Sequence, residues 1–216
     1  MPVAFSAVVS WMRSSLLGLV LAAPLVAMAE TPLPSVVRVE EDWELVVGAP
    51  DHYTDAPQVT CAISPLGTIE SIHATFDLNH QSQPEFTAGG LQLQLWEGEV
   101  AIDYRGYPNP AVLRQDDETV CWTQRMELSG GQLQFEIVNG NSVTWGQFGG
   151  QGYLKSVTPT NLENFNGYRP SVSVDNSGVG YAGNRVRSLT LKAVRVYTDT
   201  GDVFTDSAIK TVYPKN

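Results

Sequence analysis

The sequence predicts an all-β fold, a single antiparallel jelly-roll β-sandwich. Apolar and polar residues alternate with a period of two through almost every segment after residue 30. No segment keeps a helical period for three turns, so helices between the strands are not expected. The chain has 216 residues, of which 43% are hydrophobic and 17% charged, a composition typical of a globular domain.

The first strand is predicted where Val37, Val39, Trp43 and Leu45 share one phase, which only Glu41 interrupts. Further strands are predicted wherever the same alternation returns, over residues 59–63, 72–78, 91–95, 120–128, 133–137 and 189–196. No Pro-rich or Ser-rich linker divides these segments. We therefore expect one domain, over residues 30–216.

Three local signals predict how strands connect or bend. Asn139-Gly140 has the composition of a two-residue hairpin turn, and Thr200-Gly201 is expected to close another hairpin. Leu189 and Leu191 alternate in one phase, whereas Val194 and Val196 alternate in the opposite phase. This slip predicts a β-bulge near Ala193.

Residues 1–29 have the pattern of a secretory signal peptide. Arg13 is the only charge, the apolar run covers 16–26, and Ala27-Met28-Ala29 forms the cleavage site. We expect a mature protein that is secreted or periplasmic and has no transmembrane anchor. The alternative is a retained membrane anchor, although the apolar run is shorter than the roughly 20 residues that a spanning helix needs.

Export affects the interpretation of the only two cysteines, Cys61 and Cys121. Disulfides persist outside the cytoplasm, so a Cys61–Cys121 bridge is expected. Two buried free thiols and a metal-binding pair are the alternatives. A zinc site is disfavoured because the chain has three histidines and no C-x-x-C motif.

The charge balance limits the classes of partner. Thirteen Lys and Arg stand against 23 Asp and Glu, a formal net charge of −10. Such a surface repels phosphates, so nucleic acid and anionic membranes are not expected as partners.

Two stretches resemble concanavalin A-like sandwiches of the lectin and laminin-G type. One is SIHATFDLNH followed by GGLQLQLWEGE within residues 71–99, and the other is NRVRSLTLKAVRVYTDTGDV at 184–203. The resemblance implies a jelly roll that binds glycans or surfaces. It transfers no functional residue, because no motif matches position by position.

Glu40, Asp42 and Glu44 form an E-x-D-x-E pattern on one face of the first strand. Paired carboxylates at such spacing serve as nucleophile and acid in retaining glycosidases, and the laminarinase-type sandwiches carry a strand of this kind. Here the pattern lies close to the expected mature N-terminus, and the flanking family residues are missing. An acidic solvent-facing strand is the simpler interpretation, so catalytic residues are not assigned.

The remaining motifs carry little chemistry. Gly178 to Gly183 fits G-x-G-x-x-G, but a strand pattern follows it where a dinucleotide site needs a helix. No cofactor is expected. Calcium is kept as an option, because oxygen donors occur in or beside loops at Asp175, Asn176, Asp199, Asp202 and Asp206.

Residues 139–184 are the segment most suggestive of a ligand, because nine glycines and seven asparagines occur there with only four charged residues. Aromatic rings and side-chain amides are the groups that bind neutral sugars. The rings predicted to bind are Trp145, Tyr153, Tyr168 and Tyr181, with Trp96 as an extension beside Gln92 and Gln94. The alternative is that the rings of the segment plug the ends of the sandwich.

These observations favour an exported, non-catalytic module that binds a neutral polysaccharide or another envelope component. A structural protein that assembles through strand edges or loop aromatics is the second hypothesis. A laminarinase-type glycoside hydrolase is the third.

Overall fold

The structure is a computed structural model and describes residues 34–48, 57–79, 90–108, 111, 113, 115–181 and 183–214. The predicted signal peptide, residues 1–29, lies outside the described residues. All described residues belong to one compact unit, Pro34–Asn216. No helix in them is long or apolar enough to cross a membrane.

The described chain is all-β, as predicted, and its strands form two antiparallel sheets. The elements are β1 (Val36–Val47), β2 (Gln58–Ile63), β3 (Ile72–Leu78), β4 (Gly90–Glu97), β5 (Val100–Pro108), β6 (Thr119–Ser129), β7 (Gln132–Ser142), β8 (Gly146–Phe148), β9 (Lys155–Pro159), α1 (Pro170–Asp175), β10 (Gly178–Tyr181), β11 (Val186–Thr198), β12 (Val203–Asp206) and β13 (Lys210–Tyr213).

The larger sheet has eight strands, in the order β12-β11-β1-β6-β7-β8, with β13 on β11 and β9 on β7. The smaller sheet has five, in the order β10-β2-β3-β4-β5. The chain enters the larger sheet at β1, runs through β2 to β5 in the smaller one, and returns at β6 to pair with β1. The two sheets are consistent with a sandwich.

The apolar phases predicted from the sequence form the core between the sheets. Val39, Trp43 and Leu45 of β1 are buried, and so is Glu41, which shares their phase. Trp122 of β6 stacks on Trp43, with 6.3 Å between ring centroids, and meets Phe76 of β3 edge to face at 5.6 Å. Because Phe76 belongs to the other sheet, these rings join the two layers.

The predicted bulge near Ala193 is confirmed. Asp42 pairs with Ala193 while Trp43 pairs with Leu191, so Lys192 is the extra residue of β11. The predicted hairpin at Thr200-Gly201 is also confirmed, since it joins β11 to β12 with Gly201 at φ 88°.

The predicted turn at Asn139-Gly140 was wrong, because β7 continues through it to Ser142. Cys121 pairs with Asn141 and Thr123 with Val138, so Asn139 and Gly140 together oppose one residue of β6 and form a bulge. Asn139 takes the positive φ of 52° that such a bulge favours. A Cβ on Gly140 would overlap the ring of Phe148, so glycine is required there.

The expectation of no helix was also wrong, because α1 forms one short helix. Pro170 occupies its first turn, where the missing N–H costs nothing, and Ser173 is buried. The helix contacts β2 of the five-stranded sheet and β13 of the eight-stranded sheet. It therefore closes one side of the space between the layers.

Candidate functional site

Two of the rings predicted to bind ligand are core side chains. Trp145 is 4% exposed, donates from Nε1 to the carbonyl of Ala111 at 2.9 Å, and meets Phe148 edge to face. Tyr168 is 7% exposed and donates its hydroxyl to Glu41 at 2.7 Å. Neither ring can stack on a ligand from solvent. The prediction that Trp145 and Tyr168 bind ligand was therefore wrong, and both rings pack into the core of the sandwich. Sequence composition could not distinguish a buried core ring from an exposed ligand-binding ring, because both use the same residue types.

Tyr153 and Tyr181 are not part of a common surface. Tyr153 is half-buried, and its hydroxyl accepts a 2.8 Å hydrogen bond from the backbone N–H of Gly149. Tyr181 is 45% exposed at the end of β10, the edge strand of the five-stranded sheet that lies farthest from β5. Tyr181 lies apart from Trp96, because β2 and β3 stand between β10 and β4 in that sheet.

Trp96 lies on the outer face of the five-stranded sheet. Along β4 the core side chains Leu91, Leu93 and Leu95 alternate with outward residues, and Trp96 belongs to the outward set. Its Nε1 donates to the hydroxyl of Thr75 on β3 at 3.1 Å. The imidazole of His73 lies parallel to the indole, at 5° and with 6.1 Å between ring centroids. These two contacts fix the orientation of the indole before any ligand binds.

A hollow of about 570 Å³ opens beside this indole, and we call it the Trp96 hollow. Its walls are Ile69, Glu70, His73, Thr75, Trp96, Gly98 and Glu99. The volume is within the range of small-molecule sites. None of these wall residues is a lysine or an arginine, and burial lowers the pKa of His73, so the imidazole is mostly neutral at pH 7. The hollow therefore presents the rings of Trp96 and His73, the hydroxyl of Thr75, and the carboxylates of Glu70 and Glu99.

Amides and a second ring continue the outer face beyond the hollow. Gln94 donates to the side chain of Gln92 at 2.7 Å, and both lie in the phase of Trp96. Tyr104 of β5 pairs with Gln94 and is 69% exposed. The register shifts between Leu95 and Trp96, which pairs with Ala101, so Tyr104 continues the outer face along β5 three residues beyond the partner of Trp96.

Asp77 is a buried carboxyl on the same outer face. It is 4% exposed and accepts hydrogen bonds from the hydroxyls of Thr60, at 2.5 Å, and Thr75, at 3.3 Å. Burial raises the pKa of Asp77 to about 6, although both hydrogen bonds favour the charged form. Because Thr75 also holds Trp96, Asp77 is connected to the indole through one hydroxyl.

Sequence analysis missed the residues of β3 that complete this site. The sequence indicated Trp96 beside Gln92 and Gln94, which lie on one strand, but not its neighbours on β3. The contacts among His73, Thr75 and Trp96 depend on the register of β3 with β4, in which His73 pairs with Trp96. The sequence signal for that register is weak, because residues 80–89 separate the strands.

The E-x-D-x-E carboxylates form ion pairs on the outer face of the eight-stranded sheet. Arg195 binds Asp42 through both terminal nitrogens and donates from Nε to Glu40 at 3.1 Å. Lys192 pairs with Glu44 at 3.1 Å. Arg195 holds the pKa of Asp42 below its usual range, against the opposing effect of burial. A nucleophile and an acid need carboxyls that are free to face a sugar, and these are engaged by cations.

The expected Cys61–Cys121 bridge does not form, and both cysteines are free. Cys61 is buried in β2 of the five-stranded sheet, whereas Cys121 is exposed on β6 of the eight-stranded sheet. Cys121 lies between two core residues, Val120 and Trp122, so its thiol points away from the core that contains Cys61. The two thiols therefore lie on opposite sides of one layer.

Three of the candidate calcium ligands make contacts within the protein. Asp199 accepts from the backbone of Ser35, Asp202 accepts from Thr200, and Asp206 pairs with Lys210. Within the described ranges, no three His, Cys, Asp or Glu side chains come together as a metal would require. The Gly178–Gly183 segment runs from β10 into a 3-10 turn, so no helix follows it to hold a phosphate.

Compared with protein-family models and with curated proteins, the chain has no significant match in either.

Proposed function

We propose that the chain is an exported, non-catalytic module that binds a neutral polysaccharide, or another uncharged component of the cell envelope, at the Trp96 hollow. The fold proposed for it is a jelly roll of the concanavalin A-like kind. The two antiparallel sheets support that fold, as does the resemblance of residues 71–99 and 184–203 to such sandwiches. The signal-peptide pattern of residues 1–29 in the sequence supports a secreted or periplasmic location.

The observation that carries the proposal is the fixed indole of Trp96. A sugar ring presents C–H groups on its faces and hydroxyls at its rim, so its binding site needs a flat apolar surface with polar groups around it. The indole is such a surface, held at 3.1 Å by Thr75 and flanked by His73. Its orientation is set in advance, which reduces the ordering cost of binding.

The charges of the site support a ligand without negative charge. Glu70 and Glu99 line the hollow and can accept hydrogen bonds from sugar hydroxyls. They repel uronic, sulfated and phosphorylated sugars, as does the net charge of −10. Because no ion pair with the ligand is involved, affinity should change little with salt.

The expected affinity is low. Stacking on one ring contributes about 1 kcal/mol by analogy with aromatic pairs. The half-buried indole of Trp96 and a few hydroxyl contacts then correspond to dissociation constants of roughly micromolar to millimolar. Surface-binding modules reach higher overall affinity when several copies meet one polymer.

A glycan array with the purified full chain, followed by calorimetric titration of the best ligand, tests the proposal. We expect neutral glycans to bind, and Trp96→Ala to lower the affinity at least tenfold. Tyr104→Ala should lower it less, because Tyr104 is not one of the residues that line the hollow. Tyr181→Ala is the matched control, since it removes another exposed tyrosine of the same sheet. The proposal fails if no neutral glycan binds, or if Trp96→Ala binds as the wild type does.

Assembly through a strand edge is the second candidate function. The strand β12 lies at the edge of the eight-stranded sheet, and Val203 and Phe204 on it are 50% and 59% exposed. An edge with apolar side chains can pair with another chain. Light scattering across a concentration series tests this candidate, since Phe204→Lys should abolish any oligomer. A monomer at all concentrations would reject it.

A further inference from the structure

A second hollow lies next to the Trp96 hollow, at the end of the sandwich. Its volume is about 640 Å³, and it shares Glu70 and Gly98 with the first. We call it the Leu162 hollow, and its apolar walls are Leu66, Ile72 and Leu162. The two hollows thus lie on either side of the turn that joins β4 to β5.

The chemistry of the Leu162 hollow matches that of the first. Leu162 and Ile72 are partly buried against the core and provide an apolar floor. Thr160 and Asn161 add a hydroxyl and an amide, and Glu97 adds a carboxylate. None of its wall residues carries a positive charge. A neutral sugar meets the same kinds of group in both places.

Gly98 keeps the boundary between the hollows low. It takes a φ of +60° in the tight β4–β5 turn, and its backbone N–H donates to the carbonyl of Ser71 at 2.6 Å. Any side chain there would be strained by this φ, and its Cβ would lie 3.5 Å from the carbonyl oxygen of Glu70. At Gly98 the boundary is therefore bare backbone, which a ligand can cross.

We infer that the ligand is a polysaccharide chain that crosses Gly98, with consecutive sugars in the Trp96 hollow and the Leu162 hollow. This inference rests on the proposed function and adds to it that the site recognises a chain of at least two units. Trp96 supplies the stacking surface for one unit, and Leu162 and Asn161 contact the next. The carboxylate of Glu70, which lines both hollows, accepts hydroxyls from either unit.

Ladders of neutral oligosaccharides with one to six units test the inference, using β-1,3-linked and β-1,4-linked glucose and N-acetylglucosamine oligomers. Calorimetric titration of the full chain should give an affinity that rises at least tenfold from the single sugar to the longer members. Asn161→Arg places a bulky side chain in the Leu162 hollow beside Glu97, so it should remove this gain with ligand length. Gln151→Arg is the matched control, because it places the same charge at another exposed amide.

The outcomes separate this inference from the proposed function. An affinity that depends on Trp96 but not on ligand length overturns the inference alone. A length-dependent affinity that Asn161→Arg leaves intact overturns it as well, because the further units then bind elsewhere. If no ladder binds, or Trp96→Ala has no effect on binding, the proposed function and the inference both fail.

Discussion

The hydroxyl of Tyr168 donates a 2.7 Å hydrogen bond to Oε1 of Glu41, although 127 positions separate the two residues. Ser173 of α1 donates to the same oxygen at 2.5 Å, and Trp43 donates to Oε2 at 3.0 Å. The one acidic residue in the apolar phase of β1 is therefore the anchor of the segment that closes the sandwich. Unpartnered, a carboxyl at this depth would be strongly destabilising.

Removing the donors to Glu41 should destabilise the fold. Tyr168→Phe leaves the ring in place and removes only the hydroxyl, so we expect a loss of about 1–2 kcal/mol in the free energy of unfolding. Ser173→Ala should cost a similar amount. Urea denaturation measures both, and Ser171→Ala, at an exposed position of the same helix, is the control. Full stability of both variants would contradict the anchoring role.

Glu41 should also make stability depend on pH. Burial raises the pKa of this carboxyl, while the hydrogen bonds it accepts act in the opposite direction. A raised pKa in the folded state means that the protonated form favours folding. This contribution of Glu41 to the free energy of unfolding is complete below its unfolded-state pKa of about 4.5. It is lost as pH rises through the pKa of Glu41 in the folded state. Glu41→Gln should therefore gain stability relative to the wild type as pH rises above about 4.5, in urea denaturation at each pH.

Asp77 should also make the protein less stable as pH rises, over a defined pH window. Its pKa is raised to about 6, so its contribution to stability falls as pH rises from about 4 through 6. Relative to the wild type, Asp77→Asn should gain on the order of 2 kcal/mol between pH 4 and pH 7. Asp116→Asn, which changes an exposed aspartate, is the control. A pH-independent difference would show that Asp77 titrates normally.

Trp145 should matter for stability and not for binding. It is buried against Phe148, and its Nε1 hydrogen bond to Ala111 would be lost with the ring. We expect Trp145→Ala to lower the free energy of unfolding by about 3–5 kcal/mol. Below its unfolding transition the variant should bind glycan as the wild type does. Normal stability with lost binding would restore Trp145 as a ligand-binding ring.

The two thiols should differ in reactivity. In the folded protein, Cys121 should react with iodoacetamide and Cys61 only after unfolding, because Cys121 is exposed and Cys61 is buried. Intact mass before and after reduction should show no change from an internal bridge. A two-dalton increase on reduction would contradict the free thiols.

The sequence pattern predicted the strands well, because alternation is local. The bulge at Ala193 was predictable for the same reason, since the phase slip occurs within one strand. The residues Asn139-Gly140 suit either a hairpin turn or a β-bulge. Which of the two forms depends on Trp122 of β6 and Phe148 of β8, and both lie outside this dipeptide. Local composition does not contain that information.

Of the site, the sequence indicated the indole and its amide neighbours but not its supports. Trp96, Gln92 and Gln94 lie on one strand and were recognised together. Thr75 and Asp77 join them only through strand pairing. The error at Trp145 and Tyr168 has a related cause, since whether a loop ring faces inward depends on partners such as Glu41 that lie far along the chain.

The most direct test of the account is an NMR titration of the tryptophan indole N–H signals with a neutral oligosaccharide selected on the glycan array. Trp96 is assigned by its loss in Trp96→Phe, and Trp145 in the same way. We expect the Trp96 signal, whose N–H bonds to Thr75, to shift in proportion to saturation while the Trp145 signal stays in place. Binding that shifts Trp145 and leaves Trp96 unchanged would contradict the assignment of the site to the outer face of the five-stranded sheet.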